Sequence, residues 1–336
     1  MLNPKFTLTS KLLTNLAGIE RYYGQLEGIR VPRQLQLNLE RTNLIQSSYA
    51  SNSIEGNPLS VGEVTNLILN DRLPTNRSEK EILNYFSILK KLDIKKKETF
   101  NLSLILSMHK ELLEGVNDKI KGRVRNLPIV VGRRQLDRQV IVKHNPPFHD
   151  RINIEKSLDD LTKWLISTKD SPILSAGIFH HEFVYLHPFE DGNGRACRLL
   201  TALILLSHNY QINRYFVLDD YYDIDRELYS DSLHSADLGD KTAWLEYFTD
   251  GVKYSLQSAL GRIQEGLAKL SFDVRPSPRE QEALEIIKQY KEITSADLVK
   301  ELKITRQQAF NLLKALSEKG FLDKKGATKN SYYVLK

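Results

Sequence analysis

Between positions 187 and 198 the chain reads His187-Pro188-Phe189-Glu190-Asp191-Gly192-Asn193-Gly194-Arg195-Ala196-Cys197-Arg198. His187, at the edge of this stretch, is the neutral-pH base that can take a proton from an incoming hydroxyl. Asp191 offers the hard oxygen ligand that a nucleotide-bound magnesium needs. Gly192 and Gly194 allow turns that other residues resist. The N–H groups of Gly192, Asn193 and Gly194 can then face one point just ahead of a helix, where an anion, phosphate above all, is favoured. Arg195 and Arg198 are three apart on one helical face and can reach the same phosphate cluster. Each residue also has an ordinary reading: a histidine at a helix end, an Asp-Gly turn, an arginine pair on a solvated face. The co-occurrence of base, carboxylate, anion nest and paired arginines is what favours a site. Phe189 reads as core and Cys197 as a small buried hydrophobe.

The elements that must position these residues are helical. Residues 173–186 form an apolar helix ended by Pro188, and residues 196–207 form the apolar helix behind the loop. Upstream, helical patterns run over 38–53, stopped by Gly56-Asn57-Pro58, and over 60–69, 78–92 and 103–113. Residues 123–131 and 138–142 carry β-branched residues around Gly132 and suggest a short hairpin, ended by Pro146-Pro147. Helical periodicity returns at 154–167, and after a tyrosine-rich loop it continues to about residue 270. Pro276-Ser277-Pro278 reads as a linker.

A chain of 336 residues suggests two or three domains. Its 41% hydrophobic and 27% charged residues exclude a disordered or collagen-like chain. One cysteine excludes a disulfide framework and any Cys-rich zinc module, and fits a reducing cytoplasm. The apolar run from Leu199 to Leu206 is far short of a membrane span, and the first residues lack the pattern of a signal peptide. The expectation is a soluble cytoplasmic protein with no membrane partner. The net charge of +6 is uneven: residues 276–336 hold 12 basic and 8 acidic residues, a net of +4. His180-His181-Glu182 is not a zinc-protease helix, since Tyr185 stands four after His181. Gly239-Asp240-Lys241-Thr242 is only a fragment of a phosphate loop, and no kinase signature is present.

The stretch 187–198 matches every fixed position of the Fic family signature, H-P-F-x-[D/E]-G-N-G-R-x-x-R. His180 and Phe183 sit where the preceding family helix usually has His and Phe, and Gly122-Arg123-Val124-Arg125 resembles the lead-in to the family's flap. The resemblance covers roughly residues 1–265. It implies transfer of AMP from ATP to a Ser, Thr or Tyr hydroxyl of a target protein, with release of pyrophosphate. In that reading His187 deprotonates the hydroxyl and Asp191 holds Mg²⁺ on the α- and β-phosphates. Asn193, the amides of Gly192 and Gly194, and Arg195 hold the phosphates, and Arg198 engages the γ-phosphate. Kinase-like relatives carry Lys where Gly194 stands, so Gly194 favours nucleotidyl transfer. The flap that pins a target peptide by strand addition maps to residues 140–147, with Val140 and Val142 as its strand residues. Tyr229, in Glu227-Leu228-Tyr229, has two open readings: a ring lining the adenine, with Leu228 in place of a first ring, or ordinary helix packing.

Ser51-Asn52-Ser53-Ile54-Glu55-Gly56 reads by itself as a helix end with a glycine stop. It also resembles the family's inhibitory pattern, [S/T]-x-x-x-E-[G/N]. That resemblance implies that Glu55 pairs with Arg198 in the place of the γ-phosphate, with Ser51 steadying the helix one turn earlier. In some relatives the same Glu positions water to remove AMP, which leaves an enzyme acting mainly in de-AMPylation as an alternative.

Residues 279–336 read as three helices and a hairpin and look like a winged helix-turn-helix. Arg306, Gln307, Gln308 and Asn311 would face a major groove, and Lys324, Lys325 and Lys329 would meet phosphates. A protein-contact module that has lost DNA is the competing reading. The expected protein is mainly α, a Fic-type helical bundle with a small hairpin flap and a winged-helix tail. Its expected divisions are an N-terminal region bearing the inhibitory motif (1–110), a catalytic core (111–265) and the tail (276–336). The rival function is a DNA-binding regulator with a vestigial or nucleotide-sensing core. Relatives commonly pair, so a homodimer is a further expectation.

Overall fold

The computed structural model describes residues 2–134, 140–212, 214–274, 276–290, 292–326 and 331–336. Arg138 and Gln139 of the expected hairpin, and Lys329 of the expected wing, lie outside the described residues. Two compact units are present, Met1–Gly261 and Arg262–Lys336. The N-terminal region and catalytic core expected as separate divisions therefore share one unit.

The first unit is built from helices α1 (Ser10–Gly28), α2 (Arg33–Ile54), α3 (Val61–Leu69), α4 (Arg77–Lys95) and α5 (Leu102–Leu112). An antiparallel hairpin follows, β1 (Val131–Arg134) with β2 (Val140–His144), Gly132 opposite Val142. Then come α6 (Arg151–Ser167), α7 (Pro172–Leu186), α8 (Asn193–Ser207), α9 (Asp219–Ile224), α10 (Arg226–His234), a 3-10 turn (Ser235–Leu238) and α11 (Thr242–Val274), within which the unit boundary falls. The hairpin is shorter than expected: residues 123–130 form no strand. Arg125 breaks the strand pattern: its guanidinium donates to the Leu186 and His187 carbonyls at the end of α7, and its main-chain N–H to the Pro188 carbonyl just beyond.

The pair α7–α8 is the centre of the unit. Both helices are apolar around most of their circumference, and nearly every residue of each is buried. A helix hydrophobic on all sides is stable only when other elements cover it. Here α2, α4 and α5 pack against α8, and α6 and α10 against α7. Gly177 lets α7 approach its neighbours: a Cβ there would stand 2.9 Å from both Leu245 and Phe248.

The second unit contains α12 (Pro278–Ile287), α13 (Ser295–Leu302), α14 (Arg306–Glu318) and an antiparallel hairpin, β3 (Leu322–Lys325) with β4 (Tyr332–Leu335). Ser277, Thr294 and Thr305 cap the three helices, each in a reciprocal capping box with Glu280, Asp297 or Gln308. Leu284, Ile287, Leu298, Leu313, Leu316 and Leu322 form part of its own core. Among the described residues no helix is long and apolar enough to cross a membrane.

Candidate active site

The loop from α7 to α8 is held from several directions. α7 ends at His187, whose backbone is left-handed (φ 46°), a conformation uncommon outside glycine. Arg125 compensates. Its Nε donates to the His187 carbonyl (2.7 Å), its Nη2 to the Leu186 carbonyl (3.2 Å) and its Nη1 to the Leu127 carbonyl (2.8 Å). A buried cation thus satisfies carbonyls that a helix C-terminus leaves open and faces the negative end of its dipole. Further along, the Phe189 N–H donates to Asn193 Oδ1 (2.9 Å) and Asn193 Nδ2 donates to the Phe189 carbonyl (2.8 Å). His109 stacks flat on Phe189, centroids 3.6 Å apart. The Gly122 N–H donates to His109 Nδ1 (3.0 Å), so His109 Nε2 carries the proton and donates to the Asp191 carbonyl (2.9 Å). Gly192 (φ 80°) then turns the chain into α8, which begins three residues earlier than the sequence pattern suggests.

This bonding corrects one expectation. Asn193 was expected to hold phosphate, but its side chain is spent closing the loop, and only its main chain is left to offer.

His187 Nδ1 lies 3.2 Å from the Val184 carbonyl, an acceptor only, so Nδ1 bears the proton and Nε2 is left with a lone pair. Burial pushes the imidazole pKa down to about 4, the Val184 carbonyl and the Glu55 charge opposing this only in part. His187 is therefore neutral at physiological pH, as a proton acceptor must be.

Arg198, on the second turn of α8, is 4% exposed. Its Nε donates to Ser51 Oγ (2.7 Å), and its Nη2 donates to the Ser51 carbonyl (2.8 Å) and to Glu55 Oε1 (2.8 Å). Asp219 Oδ1 lies 3.6 Å from Nε, and Ser47 Oγ donates to the same carboxylate group. Burial alone would lower the Arg198 pKa, but Glu55, with Asp219 behind it, raises it well above the usual guanidinium range. The last turn of α2 supplies Ser51, and the Glu55 N–H closes that turn on the Asn52 carbonyl (3.1 Å) before Gly56 (φ 84°) stops the helix. Glu55 Oε1 thereby comes to rest over the first turn of α8, where backbone N–H groups favour an anion.

Arg195 goes elsewhere. Its Nη2 is 3.3 Å from Asp191 Oδ1 and its Nη1 is 3.4 Å from Glu81 Oε1. Its buried Nε has no hydrogen-bond partner among the described residues. Arg77 Nη2 reaches Asp191 Oδ2 at 3.0 Å. The two arginines expected to share one phosphate cluster are thus each held by their own carboxylates.

Tyr229 is buried, next to Arg198. Its ring stacks on Tyr222 (4.3 Å), its hydroxyl bonds to His180 Nε2 (2.8 Å), and it is 6% exposed. Leu228 faces solvent. The contacts of the Tyr229 ring are those of helix packing. Val140 and Val142 lie on β2, with Val142 exposed. Sequence reasoning missed Arg125, His109, Arg77, Glu81 and Asp219 as neighbours of the site. The available signal was Gly122-Arg123-Val124-Arg125, read there only as a flap lead-in.

Comparison with known proteins agrees with this geometry. Residues 99–205 match the sequence model of the Fic/DOC family. The chain is 29% identical over 252 residues to Protein adenylyltransferase fic-1 of Caenorhabditis elegans, covering 71% of this chain and 46% of that protein. It is 30% identical over 190 residues to Protein adenylyltransferase Fic of Nematostella vectensis, covering 53% and 42%. The chain spans less than half the length of these curated relatives. A Fic family protein from Desulfovibrio desulfuricans superposes with a TM-score of 0.70 at 26% identity, covering 100% of this chain and 98% of that one. The C. elegans Fic-1 structure, at 22% identity and a TM-score of 0.62, covers 76% and 73% and shares the fold. The chain carries a Fic domain.

Proposed function

We propose that this chain transfers AMP from ATP to a hydroxyl of a target protein, or of itself, and that Glu55 restrains the reaction. The observation that carries the reading is Glu55 on Arg198. A carboxylate lies against a buried guanidinium at the N-terminal turn of α8, the place an anionic phosphate would take. The unpartnered Nε of Arg195 and the neutral His187 add to it.

In this mechanism His187 Nε2 accepts the proton of the target hydroxyl. The hydroxyl oxygen attacks the α-phosphorus, and the bond from that phosphorus to its bridging oxygen toward the β-phosphate breaks. Pyrophosphate leaves, and the target carries AMP through a new P–O bond. Arg198, freed from Glu55, holds the γ-phosphate, while Arg195 and the main-chain N–H groups of Gly192, Asn193 and Gly194 hold the others. Asp191 suits Mg²⁺: its side chain is 34% exposed, on a loop pinned by His109, and Mg²⁺ takes one or two carboxylates beside phosphate oxygens. Bound there with ATP, Mg²⁺ would neutralise charge on the phosphates. ATP labelled at the α-phosphate, incubated with the protein and a lysate, should label protein, whereas γ-labelled ATP should not. His187→Ala should abolish labelling while ATP still binds. Labelling by His187→Ala at the wild-type rate would overturn the mechanism.

A second reading concerns the C-terminal unit alone. Arg306, Gln307 and Asn311 are exposed along α14, and Lys324 and Lys325 are exposed on β3, which favours contact with a polyanion such as DNA. Gln308 is withdrawn from that set, because its side chain accepts the Thr305 N–H in the capping box.

A further inference from the structure

At the far end of the flap strand, three histidines converge on one carboxylate. Asp237, in the 3-10 turn, uses Oδ1 for His181 Nε2 (3.0 Å). His181 Nδ1 faces the Lys241 ammonium at 3.0 Å and so must accept, which leaves the proton on Nε2 to reach Asp237. The other oxygen, Oδ2, lies 2.8 Å from His144 Nδ1 and 3.1 Å from His234 Nδ1.

The protons on His144 decide what this means. Its Nε2 lies 2.8 Å from the Tyr185 carbonyl, which only accepts, so Nε2 carries a proton. In the neutral ring Nδ1 is then a bare lone pair aimed at a carboxylate oxygen. Two lone pairs at that distance repel unless a cation lies between them. That cation is either a second proton on the imidazole or a metal ion.

The geometry points to a metal: we infer a zinc-class divalent cation site formed by His144 Nδ1, His234 Nδ1 and Asp237 Oδ2. These three donor atoms lie within 4.8 Å of one another. Two imidazoles with a carboxylate are a zinc donor set, and with bonds of about 2.0–2.2 Å a tetrahedral ion holds its ligands about 3.3 Å apart. The observed 2.8 and 3.1 Å to Asp237 need open slightly, and the two Nδ1 atoms, within 4.8 Å of each other, need draw together around the ion. The groups behind the ligands also match: a histidine ligand usually gives its other N–H to a carbonyl, as His144 does, and a ligating carboxylate is itself hydrogen-bonded, as Asp237 is by His181. The Asp237 and His234 side chains are 19% and 14% exposed, so solvent can supply the fourth ligand.

The ligands come from three places: His144 from the end of β2, His234 from the last residue of α10, and Asp237 from the 3-10 turn. Bound metal would tie the flap strand to the helical body. Through the Tyr185 carbonyl the tie reaches the last turn of α7, two residues before His187. This site is separate from Asp191, and its role is to hold the flap rather than to do chemistry.

The test uses the full chain, stripped with EDTA and titrated with zinc chloride alone by calorimetry, then with Co²⁺ followed by its visible absorption. The expectation is one zinc per chain and the intense cobalt bands of a four-coordinate nitrogen–oxygen site. His234→Gln keeps a hydrogen-bonding side chain at a partly exposed position; once circular dichroism shows it folded, it should bind zinc more weakly by at least the roughly hundredfold that loss of an outer-shell partner costs, since here a ligand is lost. His144→Gln, checked the same way, should lose the cobalt bands. Wild-type protein that takes up no zinc at micromolar concentration would overturn the site. So would His234→Gln and His144→Gln proteins that both bind zinc as tightly as wild type.

Discussion

A Cβ on Gly194 would stand 2.1 Å from Glu55 Oε1, well inside the contact distance of any carbon and oxygen. The glycine of the α8 N-terminus and the carboxylate that ends α2 therefore fit only because one of them has no side chain. Any residue but glycine at 194 displaces Glu55 from its place on Arg198.

Removing the carboxylate frees Arg198 without touching His187 or Asp191. A charge-assisted pair contributes about 1.5–3 kcal/mol, and a Glu55 side chain 37% open to solvent draws the value toward the lower end. Glu55→Gly should raise AMP transfer on the order of tenfold, read most easily as self-labelling. The gain should vanish when Arg198 is also replaced. Unchanged or lower labelling by Glu55→Gly would leave Glu55 as a helix-end residue.

Gly194→Ala should push the flexible, part-exposed end of Glu55 off Arg198 and destabilise the wild-type protein by about 1 kcal/mol, the net worth of the displaced hydrogen bond. In a Glu55→Gly background most of that cost should disappear, because the clashing oxygen is gone. Urea unfolding of the two single variants and the double variant measures the coupling. Strictly additive effects would refute the contact.

Arg125 acts through His187 rather than on substrate. Arg125→Met removes three bonds from a buried cation to carbonyls and should lower stability by about 2–5 kcal/mol. Arg125→Lys, which can reach only part of the set, keeps the fold testable. Measured in the Glu55→Gly background, it should lower kcat more than tenfold and leave the KM for ATP within about twofold. Because partial unfolding also lowers apparent kcat at constant KM, the rate is taken per folded enzyme by circular dichroism, and a KM that rises as much as kcat falls would place Arg125 in ATP binding instead.

The His187 pKa, lowered by burial to about 4, sets a pH window. The base stays deprotonated down to that value, so the acid limb of kcat/KM should inflect well below the usual 6.5. The stability sign follows: the unfolded chain takes up this proton as pH falls through about 6.5 while the native site resists it. The His187 contribution is fully present above 6.5 and is lost progressively as pH drops toward 4. The buried, strongly depressed His180 adds in the same direction. An acid limb at 6.5 would show that His187 is solvated.

If the C-terminal unit meets DNA through Lys324 and Lys325, anisotropy of a labelled duplex with the full chain should show affinity falling steeply with salt. Replacing both lysines by Ala should flatten the slope. No affinity at low salt would assign the exposed face of α14 to a protein contact.

The sequence by itself determined the helices and the chemistry-bearing loop. Apolar periodicity marked α7 and α8, Pro188 and the two glycines marked the turn, and the residues from His187 to Arg198 carried the resemblance to the Fic signature. These are local signals, carried by neighbours within a few positions, and local rules read them well. Only the tertiary structure decided who holds whom. Ser51 and Glu55 lie more than 140 positions from Arg198, and Arg125 lies 61 and 62 positions from the carbonyls it grips. Asn193 turned inward because two open backbone groups of Phe189 stood within reach, and Tyr229 went to the core because His180 could satisfy its hydroxyl there. Buried polar groups must find partners wherever packing brings them. That matching is a property of the folded chain, since it is packing that brings residues so far apart in sequence into contact.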